Sequence, residues 1–188
     1  MVQLQGAYKE IMTISPKYQS KITSQSYQEK PHIEGVDLSA LKLHTDDGGN
    51  FLEIFRLKNG SVEGAATPFE AQQISMSIMV PGVVKAYHFH KQQDDFWFVP
   101  PTHRLLVNMH DLREDSPTYD QHLRLVLGGG SAHTLRIPAG VAHGVKNCYS
   151  QDMYLFYATS QQFNPEAPDE FRLPWDAFGS DVWEVAKG

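Results

Sequence analysis

From about residue 36 the chain alternates short runs of branched and aromatic residues with clusters of turn formers. The runs are Leu38–His44, Phe51–Leu57, Gln73–Val80, Val83–His90, Phe96–Val99, Arg104–His110, His122–Leu127, His133–Ile137, Val141–Asn147 and Met153–Ala158. Between them stand Asp46-Asp47-Gly48-Gly49, Lys58-Asn59-Gly60, Val80-Pro81-Gly82, Pro100-Pro101, Gly128-Gly129-Gly130 and Pro138-Ala139-Gly140. These are turn signals with a mechanism, since Gly supplies positive φ and Pro presets φ. Short strands at this spacing predict an all-β sandwich or antiparallel barrel. Leu123, Leu125 and Leu127 alternate with His122, Arg124 and Val126, as a half-buried strand requires.

The flanks have a different texture. Residues 1–35 are polar and aperiodic, which predicts an arm that packs on the body or on a second subunit, or else a disordered one. After Asn164-Pro165 the chain turns polar again. Pro174-Trp175-Asp176-Ala177-Phe178 and Val182-Trp183 predict a short helical or irregular cap that packs down through its tryptophans. The organisation is then an arm over 1–35, a strand-rich domain over 36–163 and a cap over 164–188, with no internal repeat.

A length of 188 residues suits one domain with a sizeable core. The net charge of −6, from 16 basic and 22 acidic residues, argues against a nucleic-acid partner, which needs a basic face. It leaves room for a small anionic ligand held by a few local cations. Cys148 is the one cysteine, so it reads as a buried thiol in a reducing compartment. No apolar run approaches the ~20 residues of a membrane span. The opening MVQLQGAYKEIM has no apolar core of a secretory signal, and the expected location is the cytoplasm.

Nine histidines are more than structure alone usually requires. His88 and His90 stand two apart on a strand-like run, and simple alternation puts Val84, Ala86, His88 and His90 on one face. Asp94 and Asp95 follow closely. Together with Pro138-x-Gly140-x-x-His143-x-x-x-Asn147 and Gly82, which five residues separate from His88, these positions resemble the two cupin motifs, with Asp where Glu is usual. His88, His90, His143 and Asp95, or Asp94 in its place, could hold a divalent transition metal, and spacing does not choose which. His110 shares a face with Asn108 and is a weaker pocket candidate. His103, His122 and His133 read as surface or hydrogen-bonded groups, and Trp97 and Phe98 as core.

A narrower resemblance rests on Gly49-Asn50-Phe51-Leu52-Glu53-Ile54-Phe55, Asp111-Leu112-Arg113 with Ser116-Pro117-Thr118-Tyr119, Ile137–Gly144, and Phe163-Asn164-Pro165-Glu166-Ala167, in that order. Residues 36–170 resemble the dTDP-4-dehydrorhamnose 3,5-epimerase family. The resemblance implies a cupin jelly roll, a homodimer with residues 1–35 and the strand near Phe51–Leu57 at its interface, and no metal. It implies a nucleotide-linked 4-keto-6-deoxysugar as substrate, which loses a proton alpha to the ketone and regains one on the other face. His88 aligns with the family's base and Tyr157 with its acid, while Tyr154 should face away. Phe51, Glu53, Lys85, Arg104 and His143 fall at substrate-binding positions.

Several family positions are changed. The lysine that steadies the enolate aligns with Phe96 or Asp95, an arginine at the strand entry with Gly48, the arginine before the base with Lys85, and the glutamine after it with His90. The aspartate that orients the base corresponds to Asp176 or Asp181. Three readings follow: an epimerase or isomerase with altered substrate or mechanism, a metal-dependent cupin enzyme with a His₃-carboxylate site, or a non-catalytic carbohydrate-binding cupin.

Overall fold

In the computed structural model, residues 12–25, 27 and 31–185 are described, and they fall into two units, Met1–Lys30 and Pro31–Gly188. The first contains one short helix, α1 (Pro16–Gln19), which begins on a proline, where the missing N–H leaves no bond unmade. Ile33 is 1% exposed and belongs to the main core, so residues 31–35 are part of the body rather than of an arm. Residues 1–11, 26 and 28–30 of the expected arm lie outside the described residues.

The second unit is antiparallel β throughout. Its strands are β1 (Asp37–Ala40), β2 (Leu43–Asp46), β3 (Gly49–Leu52), β4 (Leu57–Lys58), β5 (Ser61–Val62), β6 (Gln73–Met79), β7 (Val84–Phe89), β8 (Asp95–Phe98), β9 (Arg104–Asp111), β10 (His122–Gly128), β11 (His133–Ile137), β12 (Val141–Lys146), β13 (Met153–Thr159) and β14 (Phe171–Arg172). Two five-stranded sheets, ordered β1-β11-β8-β13-β6 and β10-β9-β12-β7-β14, face each other as the layers of a jelly roll. Two small hairpins, β2–β3 and β4–β5, stand outside them. The expected runs Leu38–His44 and Phe51–Leu57 are each interrupted, because the turn at Asp46–Gly49 folds β2 back on β3 and diverts both from the large sheet.

Alternation along the strands builds the core. Trp97, Leu135, Leu155, Val107 and Val145 point between the sheets and join Ile33 and Met79 in one cluster. Both outer faces are partly covered. Phe55, Val62 and Phe69 lie over Phe96 on the first sheet. The C-terminal segment covers the second, where Trp183 and Phe178 pack on Tyr87 with ring centroids 5.2 and 5.0 Å away. That segment is more than a cap. Beside its 3-10 turn at Asp181–Trp183 it contributes β14, which pairs with β7 through Phe171↔Phe89 and Arg172↔His88. No described helix is long and apolar enough to cross a membrane.

The Asp-Leu-Arg…Ser-Pro-Thr motif is a joint. Fully buried Asp111 accepts bonds from Arg113 Nε (2.7 Å), Arg113 Nη2 (2.8 Å), Ser116 Oγ (2.7 Å) and Thr118 Oγ1 (2.8 Å). Arg113 Nη2 also donates to the Glu34 carbonyl at 2.7 Å, and Thr118 Oγ1 accepts from the Glu34 amide at 2.9 Å. The joint thereby ties residues 31–35 to the barrel. Gly140 must be glycine here, since its φ is +81° and a Cβ would stand 2.5 Å from Arg113 Cγ. Burial raises the Asp111 pKa, but the bonds from Arg113, Ser116 and Thr118 outweigh it and hold the carboxyl well below the usual carboxylate range.

Asp111→Ala should destabilise the fold by about 3–5 kcal/mol, the usual effect of leaving one partner of a buried ion pair alone. Because the folded pKa is depressed, the carboxylate's contribution is complete above the unfolded value of about 3.9 and is lost as pH falls through the folded one. Urea unfolding of wild type and variant at neutral pH and in acid should show their difference shrinking below about pH 4. An unchanged gap in acid would contradict this.

Candidate functional site

Both sheets line a cavity of ≈ 1110 Å³, open to solvent on one side. Its shape depends on an irregularity in β7. His143 pairs with His88 but Val145 pairs with Lys85, so β7 carries one extra residue between them. The bulge reverses the alternation upstream of it. Val84 and Ala86 therefore pack in the outer cluster with Tyr87 and Trp183, and Lys85 joins His88 on the cavity side. The single face of Val84, Ala86, His88 and His90 expected from period-two alternation is corrected to this extent: all four border the cavity, but Val84 and Ala86 also pack in the outer cluster and Lys85 joins the cavity wall. Gly144 completes the arrangement, since a Cβ there would stand 2.4 Å from that of Ala86.

Three imidazoles enter the cavity, and each is held by its Nδ1. His88 Nδ1 donates to Glu170 Oε1 at 3.1 Å. His90 Nδ1 meets the Asp169 carbonyl, and His143 Nδ1 donates to the Val141 carbonyl at 2.9 Å. A carbonyl only accepts, so the proton sits on Nδ1 and Nε2 carries a lone pair, which in His90 the Gln93 amide approaches at 3.4 Å. Asp169 also fixes the loop after β7: its carboxylate accepts the amides of Lys91, Gln92 and Gln93 at 2.8–2.9 Å. Burial raises its pKa, but these three amides hold it below the usual range. Burial and the Arg172 charge lower the His88 pKa, against the opposing pull of Glu170. Burial likewise depresses His143, opposed by Asp95.

The floor is built around Asp95, which is 4% exposed. Its Oδ1 accepts from Gln93 Nε2 at 2.8 Å and its Oδ2 from Trp97 Nε1 at 3.0 Å. His90 Nε2 lies 3.8 Å from Oδ1 and His143 Nε2 3.6 Å from Oδ2. His90, Asp95 and His143 thus converge, with ligand atoms within 4.8 Å of one another, while His88 stands outside the group. The four-ligand set expected from spacing is reduced to three. The alternative carboxylate, Asp94, bonds Arg136 and the Ala139 amide instead.

Tyr157 lines the cavity from β13, on the sheet opposite His88, and Tyr154 faces outward against the His103 ring. Lys85 is exposed at the mouth, with Nζ donating to Ser77 Oγ (2.9 Å) and the Ile78 carbonyl (3.1 Å). Other expected residues lie elsewhere. Phe51 is exposed on β3, Glu53 pairs with Arg56 at 2.7 Å, and Arg104 donates to Tyr149 at 2.9 Å, none of them at the cavity wall. His110 is on the outer face of the second sheet, stacked on Phe178 at 3.9 Å. The partner of His88 is Glu170, and neither Asp176 nor Asp181 bonds it. Glu170, Asp169 and Gln93 carry no sequence signal of their own, because Gln93 lies in the loop after β7 and the other two stand just before a two-residue strand, where no period can show.

Residues 30–183 match the profile of the family described as dTDP-4-dehydrorhamnose 3,5-epimerase. Over 144 residues the chain is 40% identical to the spore coat polysaccharide biosynthesis protein SpsL of Bacillus subtilis, covering 77% of this chain and 91% of that protein. It is 32% identical to the probable low-salt glycan biosynthesis epimerase Agl13 of Haloferax volcanii, covering 78% and 90%. Among solved structures, a dTDP sugar isomerase from Desulfovibrio desulfuricans superposes with a TM-score of 0.67 at 27% identity, covering 77% of this chain and 87% of that one. With the matched profile spanning both sheets and the cavity between them, the chain belongs to the dTDP-4-dehydrorhamnose 3,5-epimerase family of sugar-nucleotide epimerases.

Proposed function

We propose that the chain epimerises a nucleotide-linked 4-keto sugar, with His88 as base and Tyr157 as acid. The observation that carries this is their placement on opposite walls of one cavity, His88 on β7 and Tyr157 on β13. Inversion needs a base on one face of the carbon and an acid on the other. His88 Nε2 takes the proton alpha to the ketone, and the electron pair moves into the carbonyl to give an enolate. The Tyr157 hydroxyl then donates to the opposite face. The imidazolium and phenolate left behind exchange protons with water to restore the site. Glu170 acts through His88 as a positioning residue, holding the tautomer in which Nε2 can accept.

The rest of the cavity suits such a substrate. Gln72, Gln73, Gln161, Gln162 and Asn164 line it with amides, which match sugar hydroxyls in both donors and acceptors. Lys85 and Arg172 are the lysine and arginine among its lining residues and supply charge for a diphosphate. A single cysteine, Cys148, unpaired within the chain, fits a cytoplasmic enzyme of carbohydrate biosynthesis. A homodimer is supported by the outer face of the first sheet, where Ile74, Met76 and Ile78 are 55%, 51% and 44% exposed in one row of β6. Apolar rows of this kind mark association surfaces.

Proton NMR in D₂O with a dTDP-4-keto-6-deoxysugar separates the two roles. His88→Asn should abolish deuterium uptake alpha to the ketone. Tyr157→Phe should keep uptake, because His88 can return a deuteron to the same face, while inversion falls by about 10²–10⁴-fold. Uptake surviving in His88→Asn would remove the histidine from its role.

Glu170→Gln should reduce kcat by about 10–100-fold with little change in KM, and Glu170→Asp should recover part of the loss. A KM effect alone would make Glu170 a substrate contact. For the assembly, sedimentation should give a dimer for wild type and a monomer for Met76→Glu; a wild-type monomer at micromolar concentration would count against the interface.

A further inference from the structure

We infer that His90, Asp95 and His143 form a divalent-cation site at the cavity floor, separate from a metal-free His88. The inference rests on the epimerase reading for its purpose but not for its evidence, and it departs from the metal-free chemistry implied by family resemblance.

The first argument is electrostatic. Asp95 is buried, and among the described residues no Lys or Arg reaches it; its bonded partners are the neutral Gln93 amide and Trp97 indole. A buried carboxylate is costly unless it is paired. Two further acceptors face it, because His90 and His143 each commit the Nδ1 proton to a backbone carbonyl and turn the Nε2 lone pair toward Asp95. Three electron-pair donors converging with no cation between them repel one another, whereas a cation binds all three.

The second argument is the surrounding shell. Metal-binding imidazoles generally donate their other N–H to a carbonyl or carboxylate, and the binding carboxylate is itself hydrogen-bonded. Both conditions hold here. The 3.6 and 3.8 Å separations between imidazole and carboxylate atoms lie within the span of about 4.4 Å that two bonds of 2.0–2.2 Å can bridge. Gln93 Nε2 donates to Asp95 Oδ1 at 2.8 Å and so holds the carboxylate in place.

His88 is spared because Glu170 draws its Nδ1 away from the floor. Two neutral imidazoles and one carboxylate carry a charge of −1, so a divalent ion leaves the floor at +1. Such an ion would supply the positive charge that a developing enolate oxygen needs, at a floor where Asp95, one of the two positions that align with the family's lysine, lines the cavity. The donor set of two imidazoles and a carboxylate suits Zn²⁺, Co²⁺, Mn²⁺ or Fe²⁺.

The test is titration of chelator-treated protein with Co²⁺ alone, read by visible absorption and by calorimetry. Wild type should bind one ion per chain with micromolar or tighter affinity, and the ion should raise the unfolding temperature. His90→Ala, Asp95→Asn and His143→Ala should each weaken binding by more than about 100-fold, beyond the 10–100-fold typical of an outer-shell loss. His88→Asn should bind as wild type does. Absence of stoichiometric binding to folded wild type would overturn the site, and loss of binding in His88→Asn would overturn its separation from the base. If the floor variants fail to fold, wild type and His88→Asn decide both points. Because the readout is binding, ion uptake without epimerisation would refute the proposed function and leave the site standing.

Discussion

Every feature of the cavity depends on how three imidazoles are anchored. The backbone carbonyls of Val141 and Asp169 and the carboxylate of Glu170 each accept a hydrogen bond from an Nδ1–H, and each thereby turns an Nε2 lone pair toward the interior. A histidine free to rotate would present either nitrogen and either tautomer. Here the fold has fixed both, so that the cavity offers acceptors at three defined points. The anchors come from the most local of contacts in one case, Val141 to His143, and from the distant β14 segment in the other two.

That dependence explains why a two-residue strand matters. β14 closes one edge of its sheet against β7, and the residues just before it do the positioning. Asp169 gathers three successive amides of the following loop, which fixes the loop carrying Gln93 and delivers Asp95 to the floor. The Trp183 and Phe178 side chains, packed on Tyr87 from the same C-terminal segment, hold β7 from its other face. The C-terminal segment is therefore as much a part of the site as the barrel is.

Much of this was legible in the sequence, and the limits are physical. Alternation in runs such as His122–Leu127 places strands well, because one face must be apolar. The pairing of His88, His90 and His143 follows from spacing on two strands that meet. What alternation cannot show is a bulge: one extra residue in β7 brings Lys85 to the cavity wall beside His88, and nothing in Val84-Lys85-Ala86-Tyr87 announces it. Nor does spacing reveal which imidazoles share a ligand. His88 stands outside the His90–Asp95–His143 group, held by Glu170 from the segment just before β14, a partner 82 residues away. The exposed Phe51 and Glu53 and the Tyr149-bound Arg104 show the opposite limit, since family position alone placed them at substrate and they do not line the cavity of their own chain.

The central claim is that the fold sets the tautomer of these histidines, and long-range ¹H–¹⁵N correlation spectra of histidine-labelled protein read it directly. Recorded well above the ordinary imidazole pKa of about 6.5, they should show His88, His90 and His143 each carrying its proton on Nδ1, with Nε2 unprotonated. A proton on Nε2 of His88 would make that nitrogen a donor rather than a base and would contradict the account.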